Sequence, residues 1–126
     1  MILNGSKLLR KPSIIDDTEN GNLVSWVNSK IEEYLRKGYR SFTIKELFGT
    51  THWDWSNNKY PIQIIYYRWH QKYELENPKL SENEIAVKAF DAAGVSVGYI
   101  IKQACANSNR SFKVTHEFRT TRYSVV

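Results

Sequence analysis

Apolar residues recur at helical spacing in successive stretches as far as Cys105, and from Phe112 onward they alternate with polar ones. This switch, from a period of about 3.6 to a period of about 2, limits the fold to helices followed by a small β-hairpin. Leu23, Val24, Val27, Ile31, Tyr34 and Leu35 make the first stripe. Asn22 is its expected N-cap, and Gly38 sits where a C-terminal glycine cap belongs. Residues 39–42 read as a short extended piece. Thr43 and Glu46 have the spacing of a capping box and open a short helix that Gly49 closes. Pro61 suits the first turn of the next helix, whose stripe is Ile62, Ile65, Tyr66, Trp69 and Tyr73 and which Asn77-Pro78 ends. Ser81 and Glu84 form a second capping box ahead of Ile85, Ala86, Ala89, Phe90 and Ala93. Gly94-Val95-Ser96 reads as one tight turn, after which Val97, Ile100, Ile101, Ala104 and Cys105 resume helical spacing. Phe112, Val114, His116 and Phe118 alternate with Lys113, Thr115, Glu117 and Arg119, and Thr120-Thr121 reads as the turn into a last strand.

A length of 126 residues with 41% hydrophobic and 25% charged residues fits one folded domain and not a disordered tail. The expected organisation is an N-terminal arm over residues 1–21 and a single domain over residues 22–126. Asn4-Gly5-Ser6, Pro12-Ser13 and Asn20-Gly21 interrupt any period in the arm, and Ile14-Ile15 is its one candidate docked segment. No stretch approaches the roughly 18 to 20 apolar residues of a membrane span, and residues 1–11 hold no apolar run long enough for a signal peptide. A cytoplasmic protein is expected. The single cysteine, Cys105, has no partner for an internal disulfide and no nearby His/Cys cluster that would make a zinc site. Lys plus Arg outnumber Asp plus Glu by 18 to 13, a formal charge of +5 that favours an anionic partner.

The most specific local signal is Ala92-Ala93-Gly94-Val95-Ser96 between two amphipathic stretches. It resembles the turn of the helix-turn-helix DNA-binding repressors, the lactose-repressor class among them. The resemblance covers residues 85–105. It implies a left-handed glycine at Gly94, an apolar plug after it, Ser96 as the cap of the second helix and Ile100 as a residue locking the two helices. Phe90 stands where the family has a small residue, and Gln103 where it has an apolar one. A plain αα-hairpin with a glycine turn fits the same residues. With the hairpin behind it, the order resembles a winged helix. The expected fold is therefore mostly α with a small C-terminal β-hairpin, a winged-helix-like helix-turn-helix with an N-terminal helical extension.

On this resemblance the expected function is duplex-DNA binding, as a small transcriptional regulator or accessory factor. Ser96, Val97, Gly98 and Lys102 are the reading positions of the second helix, a poor set for hydrogen-bonding base edges. From Gln103 onward Arg110, Lys113, Arg119 and Arg122 face one acidic residue, Glu117, so this segment carries +3 of the total and would sit against phosphates. A competing assignment takes residues 39–42 and 43–48 as the strand and second helix, with residues 61–74 as the recognition helix. Its polar face shows Gln63, Tyr67, Arg68, Gln71 and Lys72. The eleven-residue loop before Pro61 is long for a motif turn of about 3 to 4 residues.

Aromatics concentrate in the middle of the chain: Trp53, Trp55, Tyr60, Tyr66, Tyr67, Trp69 and Tyr73. They suit core filling, a stacking surface for unpaired bases beside Lys59, Arg68 and Lys72, or, for Trp53 and Trp55, an anchor for a protein partner. The alternative function is accordingly a protein-binding module, such as a small inhibitor of a nucleoprotein or enzyme, held through that aromatic loop. The first stripe either packs on its own domain or pairs with a second copy as a homodimer. Catalysis is not indicated. His52, His70 and His116 lack metal-ligand spacing, and His52-Trp53-Asp54 has no nucleophile beside it. Cys105 lies on an apolar face where an inert thiol is expected. No cofactor is implied.

Overall fold

The computed structural model describes residues 1–48 and 61–126. Over these residues the chain is mostly helical, with a small antiparallel sheet. The elements run α1 (Asp17–Arg36), β1 (Ser41–Phe42), α2 (Ile44–Phe48), α3 (Gln63–Glu76), α4 (Glu82–Asn107), β2 (Phe112–Glu117) and β3 (Thr120–Val125). The hairpin is joined by β1, giving three strands in the order β1-β3-β2. Phe42 lies opposite Tyr123, and Val114 lies opposite Tyr123 on its other side.

Each helix forms for a reason visible in its own residues. α1 buries Leu23, Val27, Ile31 and Leu35 at four-residue spacing, and Gly38, at φ +98°, turns the chain out of its last turn towards β1. Asp16 and Glu19 form a capping box, so the helix is capped six residues before the expected N-cap at Asn22. The Thr43/Glu46 and Ser81/Glu84 boxes are made as their spacing implies. On α3 four of the five stripe residues join the core: Ile62 and Ile65 are buried, and Tyr66 and Trp69 pack against the same cluster, while Tyr73 is half-buried and stacks on Trp69. α1 packs on its own domain through α4, and the core runs on to Phe42, Phe112 and Tyr123 of the sheet.

Residues 92–96 depart most from what their sequence implies. There is no turn at Gly94. α4 is one helix of 26 residues, and Gly94 is not among the positive-φ residues. The physical reason is phase. Ile85, Ala89, Ala93, Val97, Ile101 and Cys105 are all buried, and their spacing of four passes through residue 94 without a reset. A tight turn would have shifted the stripe off the core. A Cβ placed on Gly94 meets nothing within 4 Å. Gly94→Ala is therefore expected to raise stability by about 0.5–1 kcal/mol, through helix propensity alone. A loss of similar size in a denaturant titration would contradict the continuous helix.

The N-terminal arm is a strap. Ile2 is buried and bridges Phe112 in parallel, Leu3 N–H donates to Phe112 O at 2.8 Å, and Phe112 N–H donates to Met1 O at 2.7 Å. Asn4 continues the edge with its side chain, donating to Val114 O at 2.9 Å and accepting from Val114 N–H at 2.7 Å. Gly5, at φ +82°, then diverts the chain from the strand. It crosses to α4, where Lys102 Nζ donates to Leu8 O at 2.7 Å and Gln103 Nε2 donates to Arg10 O at 2.8 Å. Pro12 and Ile15 are buried before α1 begins, so the docked segment is far longer than Ile14-Ile15. In the hairpin, Glu117 pairs with Thr120, so the connection is Phe118-Arg119 and Thr120-Thr121 already belongs to β3. Arg119, the second residue of this connection, takes the left-handed conformation at φ 58°.

Candidate functional site

β2 runs back along α4 and leaves a groove of about 590 Å³ between them. Gly94, Val95, Gly98 and Lys102 line it from the helix, and Val114, His116, Arg119, Thr121 and Tyr123 line it from the sheet. Asn4, Gly5 and Ser6 of the strap and Ile44 of α2 complete the lining. Gly94 and Gly98 fall on the groove face one turn apart and add no side-chain bulk at those two points, while Phe90, Tyr99 and Ile101 of the same helix also line the groove. An added Cβ at Gly98 meets only Ile44 Cδ1, at 3.9 Å. Among the charged lining residues, Lys102 and Arg119 stand against Asp91. Beside the groove at the hairpin tip, Phe118 is 86% exposed, with the Arg119 guanidinium 5.0 Å from its ring centre.

Of the residues expected to contact DNA, the groove gathers Gly98, Lys102 and Arg119, whereas Val97 is fully buried in the core. Several others serve the fold. Ser96 is 3% exposed and accepts the Trp69 indole N–H at 2.9 Å, so it ties α3 to α4. Arg68 makes a two-pronged ion pair with Glu19 that holds α3 against the start of α1. Arg110 pairs with Glu32 through two hydrogen bonds of 2.8 and 3.0 Å. Arg122 donates to Glu46 at 2.8 and 3.1 Å, to Glu117 at 3.1 and 3.2 Å, and to Ser41 Oγ at 3.1 Å. These ion pairs consume cations that the sequence alone assigns to phosphates. Gln63 is half-buried, and its Oε1 has no partner among the described residues. Tyr67, Gln71 and Lys72 are exposed on α3, with Lys72 over the Trp69 ring at 5.1 Å. Lys113 is exposed on β2. Trp53 and Trp55 lie outside the described residues.

The arginine partners also set the acid response. Hydrogen bonds from Arg68, Arg110 and Arg122 hold the carboxyls of Glu19, Glu32 and Glu46 below the ordinary glutamate range. A depressed folded-state value means these groups stabilise the fold above the ordinary glutamate pKa and lose that contribution as pH falls through the depressed one. Stability should therefore decline with acidification below about pH 4.5. Glu32→Gln/Glu46→Gln should be less stable than wild type at neutral pH, and the gap should narrow at pH 3. Equal pH slopes for the two proteins would contradict this. Cys105 is buried, and loss of hydration pushes its thiol up to about 12, so it stays protonated at neutral pH. Among the described residues no three His, Cys, Asp or Glu side chains form a group that would hold a metal ion. None of the described helices is long and apolar enough to cross a membrane.

The groove residues that sequence reasoning missed are Asn4, His116 and, as a lining position, Gly94. The signal for Gly94 was present: residues 91, 94, 95, 98 and 102 share one helical face once α4 is continuous. Comparison with protein-family models, with curated proteins and with solved structures gave no match for this chain.

Proposed function

We propose that this chain is a protein-binding module and that the groove between α4 and the hairpin is its site. The observation that carries the reading is the Gly94/Gly98 pair. Glycine inside a helix costs roughly 1 kcal/mol relative to alanine, and at Gly94 no neighbouring atom requires it. The space above these glycines is lined largely by apolar groups, and an aromatic of the kind that anchors interfaces stands beside it at Phe118. The test is selection of linear peptides from a random display library on the full folded chain. The binding surface is then mapped by amide shift changes with one synthesised peptide. Enriched peptides that shift Gly94, Gly98, Val114 and His116 are the expected result. No enrichment, or shifts confined to the outer face of α3, would overturn the proposal.

Duplex DNA is the second reading, favoured by one specific observation. The continuous α4 removes the turn on which the resemblance over residues 85–105 rests, but α1, β1, α2 and α3 keep the order of the competing assignment, with residues 61–74 as its recognition helix, and Lys113 and Arg119 are exposed on the hairpin. It gives the chain the role of a small DNA-binding regulator or accessory factor. This reading expects binding to random duplex with a salt dependence that Lys113→Glu/Arg119→Glu weakens. The slope of log affinity against log salt should shrink by about 0.9 for each phosphate no longer neutralised. An unchanged slope would leave protein binding as the reading that stands.

A further inference from the structure

The outer edge of β2 is left unfinished at the groove. In an antiparallel strand, alternate residues turn their N–H and C=O groups to the outer side. Here those residues are Phe112, Val114 and His116. Met1 and Leu3 satisfy Phe112, and the Asn4 side chain satisfies both groups of Val114. Gly5 then turns the strap away, so the outward backbone groups of His116 have no partner among the described residues. An exposed strand edge of this kind accepts another strand. Its continuation passes over the groove, because Asn4, Gly5 and His116 all line the same space. Two cations against one carboxylate give that space a positive balance.

Resting on the protein-binding proposal, we infer that the occupant is an extended segment of a partner protein. It continues the line of the strap, pairs with the backbone of His116 as a short added strand, places an apolar side chain over Gly94 and Gly98, and sets a carboxylate against Arg119. The strap supplies the template for this geometry within the chain itself, since residues 2–4 already occupy the preceding positions of the edge. Backbone pairing supplies affinity that is indifferent to side chains, while the glycine floor and the cations select an apolar residue next to an acidic one.

The experiment uses the full chain and one peptide from the random library. Hydrogen exchange of the His116 amide should slow by about tenfold or more on saturation. N-methylation of the peptide at the single pairing position should weaken binding by about tenfold, and elsewhere should matter little. Arg119→Glu should weaken binding of an acidic peptide by about tenfold, and a Glu→Lys change in that peptide should restore part of the loss. Two results overturn the inference while leaving the groove as a binding site. One is peptide-induced shifts at Gly94 and Gly98 with unchanged His116 exchange and every N-methyl position tolerated. The other is protection of His116 that rises with protein concentration in the absence of peptide, which assigns the edge to a second copy of this chain. A library that yields no binder overturns both the inference and the reading it rests on.

Discussion

Phe112→Ala is expected to destabilise the fold by about 3–5 kcal/mol, the range for removing a core aromatic. Phe112 is fully buried, meets Phe42 edge-on with ring centres 6.1 Å apart, and lies opposite Val125 in the hairpin. Its backbone N–H and C=O are both bonded to the strap. One side chain therefore seats the first residue of β2, and through it the edge on which residues 1–4 depend. For a domain of this size the loss corresponds to about 10–20 °C in melting temperature. Exchange of the Leu3 amide should rise together with that of the β2 amides. A loss below about 1 kcal/mol in a denaturant titration would contradict the packing described.

The second large effect separates two arginines that the sequence treats alike. Arg119 is exposed at the hairpin tip, and Arg119→Glu should change stability by less than about 0.5 kcal/mol. Arg122 lies between Glu46 and Glu117 and is also bonded to Ser41. Arg122→Glu removes those bonds and sets three carboxylates together. Because Glu46 and Glu117 are each 41% exposed, water weakens the pairing, and Arg122→Ala should cost only about 1 kcal/mol. Adding like-charge repulsion should bring Arg122→Glu to about 2 kcal/mol, with part of that recovered in high salt. Equal stability of the Arg119 and Arg122 reversals would contradict the network.

The elements that local rules dictate are legible in the sequence: the stripes of α1 and α3, two capping boxes, the glycine cap at Gly38 and the alternation of β2. The differences have identifiable causes. Gly94 resembles a stop although the buried spacing runs through it in phase, and a glycine alone does not end a helix whose neighbours are alanines. Asp16/Glu19 carries the same box signature as Ser81/Glu84, but Gly21-Asn22 draws the expected boundary downstream. The strap reads as an arm because the partner of Ile2 is Phe112, across almost the whole length of the chain. Charge counting fails for the same reason. Glu19, Glu32 and Glu46 lie 49, 78 and 76 positions from the arginines they neutralise, and no window along the sequence sees such pairs. The groove depends on two long-range facts at once, a continuous α4 and a hairpin folded back along it.

The functional reading stands or falls with that groove, and Gly94→Leu is its sharpest test. The added side chain enters space where no neighbour lies within 4 Å of its Cβ, on a helix that favours leucine over glycine. Affinity for one library-selected peptide and melting temperature should be measured on the same preparations of wild type and variant. The expected outcome is an unchanged or higher melting temperature together with a loss of affinity of about a hundredfold, as the apolar pocket is filled from within. A folded Gly94→Leu variant that binds the peptide as tightly as wild type would refute the groove as the binding site.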